Sequence, residues 1–257
     1  MPDAPDILAL DFDGVVCDGL AEYFESAWRT YTRLWASPGT VAPAGLAERF
    51  FALRPVVESG WEMPLVIKAL LAGVNDATIA ARWVDLAPQL LDGLERAEVA
   101  ARLDRVRDDW IAADRAGWLG RHRFYPGVLA RLRALAGGST RAVIITTKEG
   151  RFVRELFAQQ GLDFPADQIH GKESKRPKAG VLRALKTDGG SGLRVWFVED
   201  RFKTLEGIKT HGDLDDVRLF LAGWGYNFPA ERRAAQRDGR ISLVSLEDFV
   251  GDFGAWP

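Results

Sequence analysis

Two carboxylates one residue apart, Asp11 and Asp13, follow the apolar run Ile7-Leu8-Ala9-Leu10 and precede Gly14. Two more apolar runs also stop at polar residues. Ala142-Val143-Ile144-Ile145 ends at Thr146-Thr147-Lys148, and Val195-Trp196-Phe197-Val198 ends at Glu199-Asp200. A basic cluster, Lys172, Lys175, Arg176 and Lys178, stands before the last of these runs. Carboxylates are hard oxygen donors of the kind magnesium takes. A divalent cation can bridge a carboxylate nucleophile and a phosphate dianion and neutralise their repulsion. A hydroxyl with a following backbone N–H can hold a phosphoryl oxygen, and a lysine ammonium can balance the remaining negative charge. Alone, Asp13-Gly14 also fits a strand that ends in an Asx-type turn. The set of strand tips, taken together, points to a site.

That set works only if the strands share one sheet. The apolar runs lack polar alternation, as in strands of a parallel sheet covered on both faces. In open α/β sheets ligands sit beyond the carboxyl ends of the strands, so all three tips would converge at one edge. From Tyr125 onward strand and helix signals alternate: a helix over Val128–Ala136, a strand at 142–145, and a helix over Arg151–Gln160 closed by Gly161. A weak strand at 168–170, a helix over Lys178–Lys186, a strand at 195–198 and a short helix at 202–209 follow. A strand over Val217–Ala222 comes next, and a last short strand and helix lie within Ile241–Phe253. This pattern predicts a Rossmann-like α/β fold, a parallel sheet with helices on both faces and right-handed crossovers.

The alternation is interrupted once. Between the first strand and the second the periodicity is helical, with helices near Asp18–Trp35, Ala44–Ser59, Trp61–Leu71, from Asn75, and Glu95–Trp118. An insertion of about a hundred residues is too long for a loop and predicts a separate all-helical domain. The expected division is 1–16 with 124–257 for the sheet core and 17–123 for the insert, placed over the carboxyl edge of the sheet. The insert holds six of the nine tryptophans, read as helix-packing core, and one lysine, Lys68.

Composition narrows the function classes. The chain has 257 residues, with 47% hydrophobic and 27% charged content, which allows a sizeable core. The formal net charge of -2 gives no support for a nucleic-acid or anionic-membrane partner. No apolar run would span a bilayer, and the start Met-Pro-Asp-Ala-Pro-Asp lacks signal-peptide character. Cys17 is the single cysteine, so no intrachain disulfide forms. The expectation is a cytoplasmic protein of open oligomeric state.

The ordered set resembles the haloacid dehalogenase superfamily of phosphotransferases. Asp-Phe-Asp-Gly-Val looks like its first motif, Ile-Ile-Thr-Thr-Lys its second, Lys-Arg-Pro-Lys its third and Val-Glu-Asp its fourth. Tyr125-Pro126-Gly127 is similar to the family's return to the core, and the helical insert is placed like its first-type cap. The resemblance covers nearly the whole chain. It implies Asp11 as nucleophile and Asp13 as acid and base, with Thr146 on a phosphoryl oxygen. It also implies magnesium held by Asp11, Asp13 through its backbone carbonyl, Asp200, and Glu199 directly or through water. The motif lysine is Lys178, at the start of its helix, with Lys175 the alternative. Thr147 and Lys175 would touch substrate. Where the family often has a second aspartate after motif four, this chain has Thr204.

Because Asp13 supplies a proton that halide departure does not need, the resemblance implies hydrolysis of a small phosphate monoester, the substrate a phosphorylated metabolite. A sugar-phosphate mutase shares the motifs and stays an alternative, as does a non-catalytic module of the same fold. A Schiff-base phosphonate hydrolase would need Lys68, whose helical context differs. In the insert, Arg54 could clamp a substrate carboxylate or second phosphate, and the plainer reading of that stretch is surface charge with a packed indole. His122, His170 and His211 show no ligand spacing.

Overall fold

A computed structural model describes residues 4–188, 190 and 192–257. By their internal contacts these residues form two compact units. One comprises the chain up to Asp18 together with Arg123–Pro257, and the other is Gly19–His122.

The first unit is built on six parallel strands. Those strands are β1 (Ile7–Leu10), β4 (Arg141–Ile145), β5 (Ile169–His170), β6 (Val195–Glu199), β7 (Arg218–Ala222) and β8 (Ile241–Val244). A separate two-stranded ribbon pairs β2 (Cys17–Asp18) antiparallel with β3 (Arg123–Phe124). The chain therefore leaves and rejoins this unit at adjacent positions. The sheet order is β5-β4-β1-β6-β7-β8, with every pairing parallel. Renumbered by chain order this is the doubly wound 3-2-1-4-5-6 arrangement, whose order reverses between the first and fourth strands. Here those strands are β1 and β6, so the switch point falls at Asp11 and at Glu199-Asp200.

Helices α7 (Val128–Ala136), α8 (Gly150–Gln159), α9 (Lys178–Asp188), α10 (Phe202–Lys209), α11 (Pro229–Arg237) and α12 (Leu246–Val250) accompany the sheet. One face of β1, Ile7 and Ala9, packs with Leu182, Phe197, Leu205 and Leu219 in a core fed by α9, α10 and α11. On β6 and β7, the rings of Trp196 and Phe220 lie tilted at 5.1 Å and both meet Trp256, at 5.3 and 5.0 Å. All four residues of β1 are at most 2% exposed, which is why the strand carries no polar alternation.

The second unit is helical: α1 (Leu20–Trp35), α2 (Leu46–Leu53), α3 (Met63–Leu71), α4 (Asp76–Gln89), α5 (Arg96–Ala113) and α6 (Arg115–Leu119). Trp28, Trp83, Trp110 and Trp118 are buried in it. Trp35 and Trp61 are half-buried, each under a cation: Lys68 at 4.4 Å and Arg96 at 5.0 Å. No described helix is long and apolar enough to cross a membrane.

Several helix limits differ from the periodicity. The expected helix at 44–59 is α2 alone, followed by a 3-10 turn at Arg54–Val56 where Pro55 removes a donor. The expected 95–118 helix breaks at Asp114, whose side chain caps the next turn by accepting from the Gly117 N–H at 2.8 Å. Asp18 lies in β2 and does not cap α1; Gly19 occupies that position. Instead its carboxylate accepts from the Tyr226 hydroxyl at 2.9 Å. Helix α11 was not visible as an apolar stripe, since only Ala235 of it is buried.

Candidate active site

Strand β1 delivers Asp11 to the carboxyl edge, where its N–H donates to Val198 O at 2.9 Å. Parallel pairing of β1 with β6 sets Leu10 beside Val198, so Asp11 comes beside Glu199 and Asp200. One ligand atom from each of Asp11, Glu199 and Asp200 lies within 4.8 Å of the others. All three are buried, at 7%, 0% and 2% exposure. Three carboxylates withdrawn from water this closely are costly unless cations offset them.

Lys178 supplies a cation. Lys178, the first residue of α9, places its Nζ 2.8 Å from Asp11 Oδ1 and 2.5 Å from Glu199 Oε2. Burial alone would lower the lysine, but Asp11 and Glu199 outweigh it and hold the ammonium above the usual range. Burial raises Asp11 to about 7; the pull of Lys178 opposes this and Glu199 adds to it. Lys175 is placed otherwise. It is exposed in the left-handed region (φ 52°) at the end of a 3-10 turn. Of the two lysines, only Lys178 meets the carboxylates.

Asp200 is gripped by the loop after β7. The Tyr226 N–H donates to its Oδ2 at 2.9 Å, and Asn227 Nδ2 donates to its carbonyl at 2.9 Å. Two glycines make room. A Cβ on Gly14 (φ +88°) would come 2.3 Å from Asp200 Oδ2. A Cβ on Gly225 would come 2.3 Å from Asp200 Cβ and 2.5 Å from Gly14 O. Both approaches are shorter than van der Waals contact, so only glycine fits without a shift. Gly225 and Asn227 were not picked out from the sequence, where Gly-Trp-Gly-Tyr-Asn reads only as a loop.

Strand β4 ends at Ile145 and is followed by Thr146, buried, whose N–H donates to His170 O at 3.0 Å. Its hydroxyl accepts from the Lys148 N–H at 3.1 Å. That leaves the hydroxyl proton available to another oxygen. Thr147, next along, is exposed. Asp13 sits past β1, with Lys148 Nζ at 3.1 Å from Oδ1 and 3.4 Å from Oδ2. The role of Lys148 was missed because a loop sequence does not say where a side chain points. Thr204 lies half-buried on α10. Arg54 belongs to the helical unit, where it donates to Val57 O at 3.0 Å and lies 5.0 Å over the ring of Tyr23. Lys68 in that unit donates to Leu90 O at 2.7 Å and pairs with Asp92, a structural use of its ammonium.

The fold recurs in solved structures. A predicted phosphoglycolate phosphatase from Haemophilus somnus 129pt shares 15% identity over 97% of this chain and 98% of its own, at a TM-score of 0.62. A predicted phosphatase from Clostridium acetobutylicum shares 14% over 96% and 97%, at 0.59. Protein tyrosine kinase A of Mycobacterium tuberculosis shares 16% over 97% and 100%, also at 0.59. At such identities the likeness speaks for the fold alone. No curated protein gives a significant match. A family model does: that of the haloacid dehalogenase-like hydrolases matches residues 5–212, from before β1 to past β6, and the chain belongs to that family.

Proposed function

We propose that this hydrolase is a magnesium-dependent phosphatase that cleaves a small phosphate monoester through an aspartyl-phosphate on Asp11. The observation that carries the reading is the buried group of Asp11, Glu199 and Asp200 at the switch point, held against one lysine.

The donor set fits a divalent cation. Three buried carboxylates stand together with Lys178 against two of them, and all the donors are hard oxygens. Asp11 and Asp200 would bind directly, with the Asp13 backbone carbonyl. Glu199 accepts at both oxygens, Oε2 from Lys178 and Oε1 from the Arg201 N–H at 3.1 Å, and would act directly through a remaining lone pair or through water. When bound, magnesium would neutralise the charge between nucleophile and phosphoryl oxygens.

The remaining steps belong to the chain. An Asp11 carboxylate oxygen attacks phosphorus, and the bond to the leaving oxygen breaks. Asp13 gives that oxygen its proton, then takes one from the water that attacks the aspartyl-phosphate. The second attack breaks the bond between phosphorus and Asp11 and releases inorganic phosphate. Thr146 donates its hydroxyl proton to a phosphoryl oxygen, Thr147 offers a backbone N–H beside it, and Lys178 offsets the charge on Asp11. Lys175 is assigned to the edge of the substrate site. The helical unit would serve as the cap that sets specificity, with Arg54 its candidate clamp for a second anionic group.

The test is turnover of p-nitrophenyl phosphate in magnesium. Wild-type protein turns it over, chelator stops it, and Asp11→Asn abolishes it. Turnover that survives Asp11→Asn would remove Asp11 as nucleophile. A panel of phosphate esters that includes phosphoglycolate, the substrate named for the Haemophilus somnus protein, would then identify the metabolite.

A further inference from the structure

The ammonium of Lys148 lies against the carboxylate of Asp13. Its side chain is 9% exposed, and that of Asp13 is 11% exposed. The two distances, 3.1 and 3.4 Å, are similar, so the lysine straddles the carboxylate from one side. The backbone of Lys148 is held at both ends. Its N–H donates to the Thr146 hydroxyl at 3.1 Å, and its carbonyl accepts from the Lys172 N–H at 2.9 Å. One residue thus ties the hydroxyl at the tip of β4 to the carboxylate past the tip of β1.

We infer that Lys148 is a positioning residue that fixes the Asp13 carboxyl for proton transfer to the leaving oxygen. The inference rests on the phosphatase reading above. A carboxyl group on a free side chain rotates among several orientations, and a proton donor must lie within hydrogen-bond reach of its acceptor. A buried ammonium against both oxygens restricts that rotation. It also faces the anion that forms when Asp13 gives up its proton, so charge created in the step is met by charge already in place. Lys148 acts through Asp13 and is therefore a positioning residue, and Lys178 does not duplicate it, because Lys178 lies against Asp11 and Glu199.

A positioning role leaves a mark that a merely structural role does not. Proton donation matters for a poor leaving group and hardly at all for a good one. The experiment compares phenyl phosphate with dinitrophenyl phosphate, esters of similar shape, for wild-type protein, Lys148→Met and Lys148→Arg in magnesium. Removing a positioned proton donor costs on the order of a hundredfold. Lys148→Met should therefore lose about a hundredfold in kcat/KM, which reports the first attack and not the later attack of water, on phenyl phosphate and less than about threefold on dinitrophenyl phosphate. Lys148→Arg, which keeps the charge, should recover at least about tenfold of that loss. Activity retained on dinitrophenyl phosphate shows in the same assay that the variant is folded. Equal losses on both esters, or no loss on either, would overturn the inference. Wild-type protein that turns over neither ester would overturn the phosphatase reading itself.

Discussion

Asp11 lets the stability cost of a buried carboxylate be measured. The perturbation is Asp11→Asn, which keeps the shape and removes the charge. In the metal-free chain, burial raises Asp11 from an ordinary 3.8 to about 7 despite the opposing pull of Lys178. The folded state therefore favours the neutral acid. Its contribution to stability is fully present below about pH 4 and is lost as the pH rises to about 7. Above that the fold carries the whole cost of a buried carboxylate. At about 1.36 kcal/mol per pH unit the rise amounts to about 4 kcal/mol. Asparagine has no such dependence. In urea unfolding with chelator present, Asp11→Asn should exceed wild-type stability at pH 8 by up to about 4 kcal/mol, and the advantage should shrink towards pH 5. The same variant should be inactive, so stability and activity would trade against each other at one residue. Magnesium should narrow the gap at pH 8 by stabilising only the wild-type protein. Wild-type stability that is level from pH 5 to pH 8 in chelator would refute the reasoning, as would an asparagine variant with no gain at pH 8.

Further consequences concern the residues around the site. Gly225→Ala should displace Asp200, because its new Cβ would meet Asp200 Cβ and Gly14 O, which cannot swing aside. Overpacking of this kind costs about 1–3 kcal/mol, and a shift of about 1 Å costs about a hundredfold in rate. Magnesium affinity by calorimetry should weaken, and unchanged affinity would show that the loop does not place Asp200. Asn227→Ala should act in the same direction, since it frees the Asp200 and Ala222 carbonyls that it now bridges. It should lower the melting temperature along with magnesium affinity, and a variant that differs in neither would contradict that role. Cys17 is buried, and burial pushes its thiol well above the usual range. It should resist a thiol reagent in the native protein and react only after denaturation. Stoichiometric labelling of the folded protein would contradict that placement.

The polar strand tips at the sheet edge were legible because of a simple physical constraint. A strand covered on both faces has no polar residue until it leaves the sheet, so the first carboxylate or hydroxyl after such a run marks the edge. Asp11, Thr146 and Glu199-Asp200 were all found this way, and the sheet brings β1, β4 and β6 side by side. The choice of Lys178 over Lys175 followed from its place at a helix start, and the structure turns it to Asp11. Residues that act by shape were hidden. Nothing in Gly-Trp-Gly-Tyr-Asn says that Asp200 will press against Gly225, because the contact joins positions distant in sequence. Lys148 was quoted in a motif, yet the direction of its side chain is a tertiary property. Helix α11 escaped because its residues are mostly charged or small. The available signals were Pro229 at its start and Glu231, which accepts from the Phe228 N–H at 2.6 Å. Where α5 gives way to α6, composition stays helical across Asp114, and the local capping bond ends the helix.

The central claim is that Asp11 carries the phosphoryl group. Asp13→Asn should slow the attack of water and let the intermediate accumulate with an activated ester. Acid quench, digestion and mass spectrometry should then find the mass of one phosphoryl group on the peptide that contains Asp11, dependent on magnesium and lost in hydroxylamine. An unmodified Asp11 peptide while ester is still being consumed, or the label on another residue, would contradict the account.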